Sequence, residues 1–270
     1  MFNRFLDDQV RAIEDTKVKI KKRRGVIGFM RIFPSFSALI ESMLMSAEDL
    51  DVRETVNNAY VRINKTMFES LKVIARDNPL IQPGQTTGDP EDKEALNYQI
   101  LLIENMNHYL EEVEPRHNPV LEEARDNAKH EMNEHMELYV NAVIHRPLGK
   151  LLDFLESTEA LLKSLQPGRL PSEIAQRASH SRTTFKKILS AYDSKEIRKG
   201  IESLKKRVEK HFGDADDPGL SRDLVAKVLR ACESYYDNVE DRVVRISRDV
   251  YDGEVVVEWT RTDVNQAFRK

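Results

Sequence analysis

From Asp51 to Arg76 an apolar side chain returns every three or four residues, as Val52, Val56, Tyr60, Ile63, Met67, Leu71 and Ile74. That spacing draws one stripe along a helix and fits no strand, so the segment predicts a single amphipathic helix about 39 Å long at about 1.5 Å per residue. Such a helix must hide its stripe against others. The chain supplies them: Ile100, Ile103, Met106, Leu110 and Val113 form the expected buried face of a second helix, and Val120, Ala124, Ala128, Met132, Tyr139 and Val143 that of a third. Pro147 is expected to interrupt this third helix, with Leu148, Leu151, Leu155 and Leu162 resuming the pattern. Beyond the loop QPGRLP at 166–171 come a short helix near 172–178 and another from Ser181 to Ala191. Asp193 is placed to cap a helix whose buried edge is Ile197, Ile201, Leu204 and Val208. A last long helix carries Leu224, Val228, Cys232, Tyr236, Val239, Val243, Ile246 and Val250. In the tail, Gly253 reads as a helix C-cap and 262–270 as a short final helix, in preference to a strand with no partner. The segment 77–93, with three prolines and two glycines, reads as an exposed loop.

Composition agrees with this pattern. Charged residues make up 33% of the 270 and hydrophobic ones 40%, with only 10 Gly and 10 Pro, a balance that suits long surface-charged helices rather than sandwiches or barrels. The expected fold class is all-α, divided at the 166–171 loop into a first helical bundle over 1–166 and a second over 167–270. A net charge of −4 gives no field that gathers nucleic acid, and Cys232, the single cysteine, excludes an intrachain disulfide. The N-terminus FNRFLDDQVRAIED is amphipathic and acidic where a signal peptide is apolar, and no apolar run reaches the roughly 18 residues that span a bilayer. A reducing, cytoplasmic setting with at most peripheral membrane contact is the expectation.

The charge is nonetheless laid out in blocks. Residues 86–137 hold 14 acidic and 4 basic side chains, and 182–211 hold 4 acidic and 10 basic. Lys17, Lys19, Lys21, Lys22, Arg23 and Arg24 form a basic run beside the apolar stretch VIGFMRIF. On a helical wheel these six spread around the whole circumference, where a groove-binding helix would gather them on one side. They suit a helix end that enters solvent or meets an acidic partner, with Gly25 ending the helix and VIGFMRIF as a connector tucked onto the bundle. No aromatic platform is interleaved with them, which argues against nucleic acid. Acidic phospholipid is the alternative contact. Lys205, Lys206 and Arg207 form a second candidate contact.

Motifs for chemistry are weak. In HEMNEHM the histidines His130 and His135 are five residues apart, about 140° around a helix, so they do not share the metal face that HExxH builds. His135 is expected to pack near the stripe, with His130 on the polar side. Glu104/His108 and Glu114/His117 fall short of a di-metal bundle, which needs Glu-x-x-His on two helices. Cys232, between Leu229 and Tyr236 on a helical stripe, reads as core packing. No phosphate loop or nucleophile elbow occurs, so neither an enzyme nor a cofactor, metal or small-molecule substrate is expected.

Several long phrases, FNRFLDDQVRAIEDTKVKIKKRRGVIGFMRIFPSF, VNNAYVRINKTMFESLKVIAR, LNYQILLIENMNHYLEEV, LYVNAVIHRPLGKLLDFLES and FKKILSAYDSKEIRKGIESLKKRVEKHFG, resemble the C-terminal region of the Sec-three subunit of the exocyst, most closely in its fungal form. The resemblance runs over nearly the whole chain. It implies a rod of consecutive helical bundles of the tethering-complex type, with other exocyst subunits as partners and no catalysis, in a complex that holds secretory vesicles at the plasma membrane before SNARE-driven fusion. In that family the lipid- and Rho-binding PH-like domain lies at the other end of the subunit, so those roles do not carry over to these residues.

Overall fold

In the computed structural model the described residues are 2–19, 25–45, 50–76, 96–213 and 218–269. Among them are nine α-helices and no strand: α1 Phe2–Lys19, α2 Gly28–Leu44, α3 Leu50–Arg76, α4 Asn97–Val113, α5 Glu122–Lys163, α6 Arg182–Leu189, α7 Ser194–Phe212, α8 Pro218–Tyr251 and α9 Arg261–Arg269. Short 3-10 turns fill Glu114–Arg116, Pro119–Leu121, Pro171–Gln176 and Ala178–His180. The all-α expectation holds. The loop expected over 77–93 lies outside the described residues.

The chain forms two compact units. Unit 1 is Met1–Tyr139 with His211–Leu224, and unit 2 is Val140–Lys210 with Val225–Lys270. The 166–171 loop falls inside unit 2.

Unit 1 is built on α4, which packs against α2 and α3, while α1 packs on α3. The stripe read from α3 is its buried face from Val56 onward, with Val56, Tyr60, Ile63, Met67, Leu71 and Ile74 in the core, while Val52, expected to share it, is exposed in the first turn. Helix α4 departs from expectation, because Ile100 through Leu110 are buried without a break, polar residues included. A helix wrapped on every side has no solvent face to show in its sequence. Its polar groups need partners instead. Asn105 Nδ2 donates to the carbonyls of Leu101 (2.8 Å) and Gly25 (3.1 Å), and its Oδ1 accepts from the Ile27 amide at 2.8 Å. The Gly25 amide donates to Glu104 at 3.2 Å, and Gly25 sits at φ +72°, a conformation that suits a residue without Cβ. Residues 25–27 are thereby clamped to α4.

The stretch read as a connector is corrected here: from Gly28 onward it is helix α2, which runs through Pro34. The Pro34 carbonyl accepts from the Ser37 hydroxyl at 2.9 Å and from the Arg116 guanidinium.

In unit 2 a second correction concerns Pro147, which lies inside the continuous helix α5. Proline in a helix interior removes a backbone donor and crowds the preceding turn, and here α7 makes room. A Cβ built on Gly200 would stand 3.2 Å from Pro147 Cβ. The caps follow sequence closely. Asp193 Oδ1 accepts from the Glu196 amide (2.8 Å) to start α7, and the Ser181 hydroxyl accepts from the Thr184 amide to start α6. Helix α8 ends with Asp252 and Gly253 both at positive φ, and the Gly253 amide returns to the Ser247 carbonyl at 3.0 Å. The segment after it buries Val255 and Trp259, and Thr260 and Asp263 exchange hydrogen bonds in a capping box that opens α9.

Candidate interaction surfaces

The residues singled out for partner contact fall in separate units, 17–24 in the first and 205–207 in the second. Lys17 and Lys19 are helical positions at the end of α1, while Lys21, Lys22, Arg23 and Arg24 lie outside the described residues. The second trio is partly engaged within the fold. Lys205 is half-buried and its Nζ donates to the Phe268 carbonyl at 3.0 Å, placing a cation at the C-terminal turn of α9, where the helix dipole favours it. Lys206 is exposed and Arg207 half-buried. The apolar neighbours of the first run are also accounted for, since Ile27, Phe29 and Met30 are buried in the core of unit 1.

The histidine readings separate cleanly. His135 is buried, its ring packed edge-on to Tyr98, with Nε2 at 3.6 Å from Glu131, which also pairs with Lys72. Burial pushes its pKa down, against the opposing pull of Glu131. His130 is exposed on the opposite side, near Glu134. Cys232 is fully buried and burial lifts its thiol to about 12, which leaves it protonated and inert at neutral pH. Among the described residues no group of three or more His, Cys, Asp or Glu side chains is placed to hold a metal ion.

Sequence reasoning missed an apolar surface on α2. Ile32, Leu39 and Met43 are exposed, beside half-buried Phe36 and exposed Phe5. The signal was present in the 4-3-4 spacing of Ile32, Phe36, Leu39 and Met43, which is a second stripe on a helix that already buries Phe29, Met30, Phe33 and Ser37. The connector reading covers only 26–33 and assigns the rest of α2, 34–44, to no helix. It is an apolar face with almost no groups that titrate.

Ion pairs in unit 2 are internal fasteners. Glu159 receives Arg242 through Nε (3.0 Å) and Nη2 (2.9 Å) and also Arg245 at 2.6 Å. Burial would raise the Glu159 pKa, but the two guanidinium groups outweigh it and hold the carboxyl below its ordinary range. No helix among the described residues is long and apolar enough to cross a membrane.

The family model that matches this chain describes "Exocyst complex component Sec3, C-terminal" and covers residues 1–253. Curated relatives are exocyst complex component 1 of Mus musculus, 26% identical over 216 residues, and of Drosophila melanogaster, 24% identical over 216 residues, each match covering 80% of this chain. The Dictyostelium discoideum protein of the same name is 26% identical over 213 residues, or 78% of the chain. The matched region is 22% of the length of each of these relatives. No solved structure matches the chain significantly.

Proposed function

The chain belongs to the exocyst Sec3 C-terminal family, and from that premise we propose that it is a non-catalytic scaffold segment of the exocyst, binding other subunits so that the complex tethers secretory vesicles to the plasma membrane before SNARE-mediated fusion. The observation that carries this reading is the family match over residues 1–253. Physical support comes from the helices themselves. Two cores of long, tightly packed helices hold surface patches at fixed separations within each unit, which is what a docking scaffold needs, and blocks of opposite charge along the sequence favour orientation-specific association. The place of action is the cytoplasm, at the periphery of the plasma membrane.

The test addresses the 17–24 run. Replacing Lys21, Lys22, Arg23 and Arg24 with Glu is expected to weaken co-purification with the other subunits while the chain keeps its helical spectrum and melting temperature. Unchanged co-purification removes this run as a docking site.

The alternative, a peripheral module that sets the same basic run on acidic phosphoinositides, keeps its electrostatic half only. Burial of Ile27, Phe29 and Met30 leaves those apolar groups unable to enter a bilayer without opening unit 1. Co-sedimentation with phosphoinositide vesicles at moderate salt separates the readings, because a protein-facing cluster leaves the chain in the supernatant.

A further inference from the structure

Residues 254–269 fold back along unit 2 as an arm. Helix α8 ends where Asp252 (φ +55°) and Gly253 (φ +76°) both turn left-handed, and the arm then lays α9 on α7 and α8. The contacts are specific at both ends. Near the start of α9, Asp263 accepts from the Arg198 guanidinium (2.6 Å) and the Ser194 hydroxyl (3.2 Å) of α7, while Arg261 donates to Glu240 (3.3 Å) and to Asp241 of α8. At the far end, the Phe268 carbonyl accepts from Lys205 of α7 at 3.0 Å and the Phe268 ring meets Tyr236 of α8 edge-on at 5.8 Å. Helix α9 therefore runs parallel to α7 and antiparallel to α8, with Val264, Ala267 and Phe268 buried in the seam.

This is the geometry of a bound helix rather than a self-supporting one. The 9 residues of α9 fall short of the about 12–15 that hold a helix in water, so α9 is helical because α7 and α8 fold it. Two features of the docked arm oppose docking. The Trp259 indole N–H is buried with no acceptor among the described residues, and release into water satisfies it. Asp252 holds a left-handed backbone that a residue with a Cβ adopts at a cost, and release lets the turn relax. Both groove helices lie inside the family match, which ends at residue 253, and the arm lies outside it.

We propose that the α7–α8 groove is a docking site for one helix of another subunit, held shut in the free chain by the chain's own arm, which that helix displaces. The arm spells out the chemistry of its competitor: a carboxylate in the first turn for Arg198 and Ser194, a cation just before it for Glu240 and Asp241, apolar side chains one turn later against Tyr236, and last-turn carbonyls for Lys205. The competitor makes these contacts without the arm's unpaired indole or its left-handed turn, and so binds with a net advantage over it. This rests on the reading of the chain as a subunit of a larger assembly.

The test compares the full chain alone with the purified assembled complex. Hydrogen exchange of the α9 amides is expected to speed up by more than about tenfold on assembly, while α7 and α8 stay protected. A photocrosslinker in place of exposed Glu202, on α7 between Arg198 and Lys205, is expected to capture the arm in the free chain and a helical segment of another subunit in the complex. Arg261→Cys with Asp241→Cys, joined by a short bismaleimide, ties the arm in place; both positions are exposed, and Cys232 is fully buried and does not compete. The tied chain is expected to lose more than about tenfold in affinity for the captured subunit relative to the same variant left unlinked, because closing the arm removes the binding-competent fraction. Equal protection of α9 in both states, capture of only the arm or of a second copy in the complex, or full binding by the tied chain overturns the proposal. If the unsubstituted chain co-purifies with the other subunits in those cases, the arm is rejected as a switch and the scaffold reading stands. Its failure to co-purify rejects that reading and this proposal together.

Discussion

Single polar side chains decide whether the buried parts of this fold are satisfied. Asn105 is the clearest, because one side chain serves the Ile27 amide and the carbonyls of Gly25 and Leu101 from a fully buried position on α4. Asn105→Ala leaves the Ile27 amide and the Gly25 carbonyl without that partner, and an expected loss of about 2–3 kcal/mol should appear in urea unfolding. Asp263 offers a pH test. Hydrogen bonds from Arg198 and then Thr260 hold its carboxyl down at about 2. A carboxylate depressed in the fold stabilises above its unfolded value, near 4, and that contribution is lost as pH falls from about 4 through about 2. Trp259, the single tryptophan and a buried neighbour of α9, reports it. Its emission is expected to shift to the red across that window, and in Asp263→Asn the shift is already present at pH 5 with a smaller step below.

At the scale of elements, the close approach of α7 to α5 explains how a helix passes through Pro147. Gly200 leaves room for the proline ring, and a Cβ there meets Pro147 at 3.2 Å and the Tyr236 hydroxyl at 3.8 Å. Alanine would gain helix propensity of about 1 kcal/mol against this contact. The larger Gly200→Val has no such offset, and its melting temperature is expected to fall by several degrees, from overpacking of about 1–3 kcal/mol. The same elements show what the sequence revealed. Helices α3, α7 and α8 each bury one face, so periodicity marked most of their core positions, Val52 excepted, and the short range of capping bonds made Asp193 and Gly253 legible too. Helix α4, buried all round, showed only part of its core. Glycines and prolines misled in α2 and α5, because Pro34 sits within α2 with its own carbonyl held by Ser37 and by Arg116, 82 residues away, and Pro147 stands against Gly200 on another helix. Of the candidate surface, the basic runs were plain in the sequence as charge, yet nothing local to residues 205–207 shows that Lys205 is used by Phe268.

For the whole molecule, the central fact is that neither unit is one continuous stretch of chain. Unit 1 takes back His211–Leu224 after the chain has passed through unit 2. Within unit 1, the Tyr139 hydroxyl and His211 Nδ1 lie 2.8 Å apart, and the Phe212 ring meets the Tyr139 ring edge-on at 5.1 Å, all three fully or nearly fully buried. A polypeptide ending at residue 166 keeps α1 to α5 but removes His211 and Phe212, two partners of Tyr139. Loss of a buried phenylalanine costs about 3–5 kcal/mol and loss of a buried hydrogen bond about 1 kcal/mol. At about 2–4 °C per kcal/mol for a unit of this size, residues 1–166 are expected to melt on the order of 10 °C below the first transition of the full chain. The double substitution His211→Ala with Phe212→Ala in the full chain separates this cause from truncation itself, because it removes the same two partners and leaves the backbone whole. It is expected to lower the unit 1 transition by a similar amount, followed by hydrogen exchange at the α4 amides. If 1–166 melts with the full chain, His211–Leu224 adds nothing to unit 1 and residues 1–166 are self-sufficient.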